Sequence, residues 1–211
     1  MLVMLDLDGT LIDSSADICN AVNLARKSHG VPAHPFEFLV KHIGDGVYSL
    51  IRKTFRDKDI DLAETVERYR KFYAEHMVDE TVLFPDVLTG LQAMRQAGYK
   101  LAIISNKEET PIRRLLKHFE IEEYFDVILG ANSIPNPKPH PDPIFTVIEK
   151  TGCKPESAWM VGDHFIDLET ARRAGVKSIF VTYGIGTIEN EHPTKTFSSF
   201  KDVYRFLLNE K

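Results

Sequence analysis

The chain has 211 residues, 43% of them hydrophobic and 27% charged, enough apolar material for one well-buried core without disulfides or a structural metal. Its formal net charge of −5 argues against nonspecific nucleic-acid binding, which needs a basic face, so an anionic substrate has to meet positive charge concentrated in a site. Cys19 and Cys153 lack both a disulfide framework and metal-ligand spacing, the opening Met1 to Asp6 lacks the basic start of a signal peptide, and no apolar run approaches the roughly 20 residues needed to span a bilayer, which together predict a cytoplasmic protein with no membrane partner.

The first apolar run, residues 2–8, is continuous rather than alternating, as in a strand buried on both faces. Residues 14–84 then show helical stretches and no strand pattern. Ser14 is placed to cap the first helix, which carries Ile18, Val22 and Ala25 and ends by Gly30. Stretches at 35–56 and 62–77 supply the rest. Some 70 residues is far too long for a simple crossover, so a small all-helical domain (14–84) is expected, inserted into a core made of 1–13 and 85–211.

From there strands and helices alternate. Pro85 opens a helix with Val87, Leu91 and Met94 on one face, closed by Gly98, and the run 100–106 follows. Pro111 opens another helix to about Phe119, before the run 126–132. Residues 143–150, closed by Gly152, precede the run 158–163; residues 168–174, closed by Gly175, precede the run 178–184. A last helix carries Phe200, Val203 and Leu207 on one face. This alternation predicts an α/β fold: a Rossmann-like parallel sheet with helices on both faces.

In such a sheet, ligands bind beyond the carboxyl ends of the strands. The residues expected there are Asp6 and Asp8, Ser105 and Asn106, Asp163 with Asp167, and Lys138 in the proline-rich segment 136–141. A cluster of acids repels itself unless a cation sits among them, and an oxygen-only donor set favours a hard ion such as Mg²⁺. An ion beside a lysine makes a phosphate site, and a carboxylate can attack phosphorus to give an aspartyl-phosphate.

Asp6-Leu7-Asp8-Gly9-Thr10-Leu11-Ile12-Asp13-Ser14, then Ser105-Asn106, then Lys138, then Gly162-Asp163-His164-Phe165-Ile166-Asp167 resemble, in order, the four motifs of the haloacid dehalogenase-like hydrolases. The resemblance implies that Asp6 is the nucleophile and that Asp8 is the general acid and base. It implies that Asp6, Asp8 (through its main-chain carbonyl), Asp163 and Asp167 hold Mg²⁺. Ser105, Asn106 and Lys138 would hold the phosphoryl group, and Thr10 would shape the turn beside it. The inserted segment resembles the family's cap. Within it, His42-Ile43-Gly44-Asp45-Gly46-Val47 followed by Leu50-Ile51-Arg52 resembles the phosphoglycolate phosphatase branch; Gly46 and Arg52 are expected to contact the substrate, Arg52 because a guanidinium can bind a carboxylate bidentately.

The expectation is a Mg²⁺-dependent phosphatase, a monomer or homodimer, acting on a small phosphorylated metabolite. A β-phosphoglucomutase-type phosphomutase, a pyrophosphatase and a sugar-phosphate phosphatase of the same family remain as alternatives. A 2-haloacid dehalogenase is disfavoured, because those members lack the second aspartate of the first motif.

Overall fold

The computed structural model describes residues 1–210. Strand β1 (Leu2–Leu5) leads through a short β2 (Ile12–Asp13) into helices α1 (Ser15–Ser28), α2 (Phe36–Leu39), α3 (Val47–Thr54) and α4 (Leu62–His76). The chain returns through β3 (Val82–Leu83). It then alternates α5 (Val87–Gln96), β4 (Lys100–Ile104), α6 (Glu109–His118), β5 (Val127–Leu129), α7 (Asp142–Thr151), β6 (Ala158–Gly162), α8 (Phe165–Ala174), β7 (Lys177–Val181), β8 (Lys195–Phe197) and α9 (Phe200–Asn209). The main sheet has the order β5-β4-β1-β6-β7-β8, with every neighbouring pair parallel. This is the expected α/β architecture.

The continuous apolar runs have a direct structural reason. Side chains alternate across a strand, so a strand covered on both faces needs apolar residues at every position. Val3 and Leu5 join Leu101, Ile103, Trp159 and Val161 on one face, under α5, α6 and α9. Leu2 and Met4 join Ala102, Ile104, Ala158 and Met160 on the other, under α7 and α8. Gly152 and Gly175 end α7 and α8 in the left-handed conformation, as their positions predict.

Four details differ from the sequence reading. Residues 14–84 do contain a strand: β3 pairs antiparallel with β2, Ile12 opposite Leu83 and Asp13 opposite Val82. Two residues per strand are too few to leave a period. The stretch 35–56 is not one helix but α2, a 3₁₀ turn at Val40–His42 and α3. Gly44 and Gly46, at φ +124° and +84°, interrupt it. Ser14 does not cap α1 with its side chain; its hydroxyl is given to Asp8, and Asp13 Oδ1 takes the Ser15 N–H at 3.1 Å. The edge strand β8 is polar and partly exposed, which hid it.

Two buried polar groups tie the helical segment together. The Arg26 guanidinium, only 2% exposed, donates to the backbone carbonyls of Pro32 (2.7 Å) and Thr54, joining α1 to α3. Asp17 Oδ2 accepts from Thr81 N (2.9 Å) and Thr81 Oγ1 (2.7 Å), fastening α1 to the chain entering β3.

Helices α5 and α9 meet at Gly90, where a Cβ would stand 2.6 Å from Tyr204 and 2.7 Å from Phe200. Alanine is the better helix former by about 1 kcal/mol, but overpacking costs about 1–3 kcal/mol. Gly90→Ala is therefore expected to lower stability, read as a lower urea midpoint with an unchanged slope. A raised midpoint would show that the two helices can part freely.

Candidate active site

The chain leaves β1 for β4 on one side and later for β6 on the other, so the carboxyl end of β1 is where the winding reverses and a crevice opens. Asp6 follows β1, Ser105 and Asn106 follow β4, and Asp163 follows β6. Lys138 comes from the loop after β5, and Asp167 from the first turn of α8. All six are buried.

Ligand atoms of Asp6, Asp163 and Asp167 lie within 4.8 Å of one another. Lys138, itself only 5% exposed, sits among them. Its Nζ donates to Asp167 Oδ1 at 2.6 Å and lies 2.9 Å from Asp6 Oδ1, a charge contact whose angle leaves that oxygen without a hydrogen bond. Burial opposes the lysine's charge, but Asp167 and Asp6 outweigh it and push its pKa up. Burial raises the Asp6 pKa to about 6, with Lys138 pulling it down and Asp167 and Asp8 adding to the rise. Burial, then the charges of Asp6 and Asp167, raise Asp163 to about 7. Three carboxylates against one ammonium leave two negative charges uncompensated in a desolvated space. A hard divalent cation matches both that deficit and the all-oxygen donor set.

Asp167 has two functions. Its Oδ2 accepts the His164 N–H at 3.1 Å, closing the N-terminus of α8, while its Oδ1 faces Lys138. Asp163 is oriented from three sides: Thr10 Oγ1 donates to Oδ1 (3.1 Å), and the Ile185 and Gly186 N–H groups donate to Oδ2 (2.9 Å each). Gly9, at φ +82°, brings the turn after β1 so close that a Cβ there would overlap the Asp163 carboxylate. The Thr10 hydroxyl is committed to Asp163, and the residue does not line the cavity described below.

Asp8 stands apart from the acidic cluster. Both its carboxylate oxygens accept from Lys107 Nζ at 2.7 Å, and Ser14 Oγ donates to Oδ1. Lys107 Nζ also lies 4.8 Å from the ring centroid of Tyr73 on α4. The Asp8 carboxylate is thus committed to Lys107 and Ser14 and is not one of the three that share the acidic cluster.

A cavity of 260 Å³ opens over Asp6 and Asp8. Its floor includes Ser105 and Asn106; its walls include Ile18, Val47, Leu50, Tyr69, Tyr73 and Met77 from the helical segment. The Asn106 amide donates to Gly44 O (3.1 Å) and to Lys138 O (3.0 Å), joining that segment to the sheet end. Gly46 lines the cavity. Arg52 does not: Leu50, Ile51 and Thr54 take the buried face of α3 and leave Arg52 exposed on the other. The guanidiniums that do line it, Arg70 and Arg114, were not singled out from sequence, because each lies in an ordinary charged helix. Lys107 was missed for its role although it follows Asn106 directly. A lysine three residues past its strand, level with an aspartate three residues past the neighbouring strand, was the available signal.

Residues 3–181 match the family model of the haloacid dehalogenase-like hydrolases. The chain is 35% identical to a phosphoglycolate phosphatase of Aquifex aeolicus over 98% of its own length and 96% of that protein. It is 33% identical to another from Chromobacterium violaceum, with the same coverage. Its structure is similar to a crystal structure of a predicted phosphoglycolate phosphatase from Haemophilus somnus, with a TM-score of 0.92 at 28% identity over 97% of this chain and 96% of that one.

Between the unfolded carboxylate value near 4 and the raised values of Asp6 and Asp163, the metal-free fold binds more protons than the unfolded chain. The stability those protons carry is present below pH 4 and is lost as pH rises through 7. A divalent ion replaces the protons, so the rise in Tm that it produces is expected to grow from pH 5 to pH 8. Thermal melts with EDTA and with Mg²⁺ at three pH values check this; a Tm increment flat with pH would refute the shared carboxylate site.

Proposed function

The chain belongs to the haloacid dehalogenase-like hydrolases and is a phosphatase of that family; we propose that it is a Mg²⁺-dependent phosphomonoester hydrolase working through an aspartyl-phosphate on Asp6, with 2-phosphoglycolate as its substrate. The observation that carries the mechanism is the contrast between two aspartates on one turn. Asp6 keeps a buried oxygen without a hydrogen bond beside Lys138, whereas Asp8 is turned onto Lys107 and Ser14.

In this reading the Asp6 carboxylate attacks phosphorus as the bond to the ester oxygen breaks. Asp8 gives its proton to the departing oxygen. It then takes a proton from a water that attacks the aspartyl-phosphate, which frees phosphate and restores Asp6. Ser105 and the loop at Asn106 hold the phosphoryl oxygens, and Lys138 offsets the charge of Asp6. Asp6, the Asp8 carbonyl, Asp163 and Asp167 would hold Mg²⁺, which supplies positive charge to draw in the phosphate and stabilise it in transfer.

Residues 14–84 form the cap, which supplies the cavity walls over the nucleophile and excludes water from the chemistry. The substrate follows from the curated relatives named phosphoglycolate phosphatase and from a cavity suited to a small ester. A cytoplasmic monomer or homodimer acting on a small phosphorylated metabolite fits the composition and the lack of a helix long and apolar enough to cross a membrane among the described residues.

Phosphate release is to be measured from a panel of small monoesters, sugar phosphates and pyrophosphate, each with Mg²⁺ and with EDTA. Mg²⁺-dependent release that favours 2-phosphoglycolate is expected; preference for another ester would overturn the substrate and leave the chemistry standing. Asp6→Asn is expected to reduce turnover by more than about 10⁴-fold in a folded protein, and near-normal turnover would remove Asp6 as nucleophile. Asp8→Asn is expected to slow turnover about 10²–10⁴-fold with little change in Mg²⁺ affinity. A matching collapse of Mg²⁺ affinity would show that its side chain, not its carbonyl, holds the ion.

A further inference from the structure

Buried polar side-chain atoms almost always find a hydrogen-bond partner, so each exception asks for an explanation. Among the described residues there are three: Asp6 Oδ1, Asn106 Oδ1 and the Tyr73 hydroxyl. All three residues line the one 260 Å³ cavity. Asp6 and Asn106 stand at its phosphate end. Tyr73 is different, because it comes from α4 in the inserted segment and plays no part in the chemistry described above.

The Tyr73 ring is firmly placed. The residue is 5% exposed, its ring stacks on Tyr69 with centroids 5.7 Å apart and planes 6° from parallel, and Lys107 Nζ sits over it. Burial, with the charges of Asp8 and Asp17, raises its pKa well above the usual tyrosine range, so the hydroxyl stays protonated and offers a donor. The surrounding walls, among them Ile18, Leu50 and Met77, offer it nothing to bond.

The cavity's cations show which kind of acceptor belongs there. Lys107 is spent on Asp8, and Arg70 is paired with Glu67 and Glu108. Arg114, exposed at the rim on α6, has no ion pair among the described residues. Its guanidinium donates to Ala74 O at 2.9 Å, the backbone of the residue next to Tyr73. A buried donor without an acceptor and a guanidinium without a counter-charge therefore line the same cavity, linked through the α4 backbone at Ala74.

We propose that the Tyr73 hydroxyl and the Arg114 guanidinium bind a carboxylate on the leaving group, making them the specificity-determining residues for an acidic phosphoester. The proposal rests on the reading of this chain as a phosphatase of 2-phosphoglycolate and names the residues that would recognise the acid half of that molecule. A guanidinium meets a carboxylate through paired N–H donors, and a hydrogen bond to a charged group is stronger than one between neutral groups. The apolar walls around Tyr73 shield its hydroxyl from competing water.

The test compares kcat/KM for 2-phosphoglycolate with that for ethyl phosphate, an ester of the same carbon count without the carboxylate, in the wild type, Tyr73→Phe and Arg114→Gln, all with saturating Mg²⁺. The wild type is expected to favour 2-phosphoglycolate, and each variant to reduce that ratio by roughly 10-fold or more, mainly through KM. Weaker inhibition by glycolate in both variants is expected as a readout of binding alone. If the wild type favours 2-phosphoglycolate and the variants keep the ratio, the proposal fails and the proposed function stands. Equal losses on both esters would assign Tyr73 and Arg114 a purely structural role and also overturn it. If the wild type shows no preference for the acid, the substrate reading falls and takes the carboxylate site with it.

Discussion

Three buried carboxylates crowded around one buried ammonium set the terms for the rest of this molecule. Water would relieve such a cluster by solvation, and the fold denies it water. It is held together from outside: by the backbone N–H groups of Ile185 and Gly186, by the Thr10 hydroxyl, and by the N-terminus of α8, to which Asp167 is bonded. The parallel sheet is needed because only adjacent strand ends bring residues so distant in sequence within a few ångströms. The glycine after Asp8 is needed because any side chain there would displace Asp163. Local strain of charge is thus offset by geometry distributed over the whole core, and the arrangement is one that a divalent cation completes.

Around that cluster the polar contacts divide the labour. Lys138 answers Asp6 and Asp167, while Lys107 answers Asp8. Two aspartates separated by one residue are therefore held in two different environments by two different lysines, one from the loop after β4 and one from the loop after β5. The carboxylate at the end of β1 keeps a buried oxygen facing Lys138, and the next one is held by Lys107 and Ser14. The cavity has the same polarity along its length: polar and charged where the strands end, apolar and aromatic where the helices close over it.

Much of this was legible in the sequence, for a physical reason. Strands buried on both faces cannot hide, because they must be apolar at every residue, and the residues that end them abruptly are the charged ones of the site. Asp6, Ser105, Asn106 and Asp163 were visible on that ground, and Lys138 through its place in the proline-rich segment that follows the third run. What stayed hidden depended on side-chain direction or on very short elements. Thr10 sits in the expected motif yet spends its hydroxyl on Asp163; Arg52 sits in the expected segment yet lies on the outer face of α3. Arg114 and Tyr73 carry no local pattern, because a charged or aromatic residue on an amphipathic helix looks the same whether it faces solvent or a cavity. Ser14 read as a helix cap from its position, and only the fold shows that Asp8 claims its hydroxyl.

The β2–β3 ribbon is only two residues long on each side, yet it brings the departure and return of the helical segment to a single point, with Asp17 bonded across to Thr81 as a second clasp. To the main sheet, that whole excursion is topologically a tight turn between β1 and α5. Loop-closure entropy grows only with the logarithm of length, and here the two ends are already joined, so the core is nearly indifferent to how much chain lies beyond the clasp. The segment that walls the cavity can therefore be lengthened, shortened or exchanged over generations without shifting a strand. The machinery beneath it stays in register while the preference for a leaving group drifts.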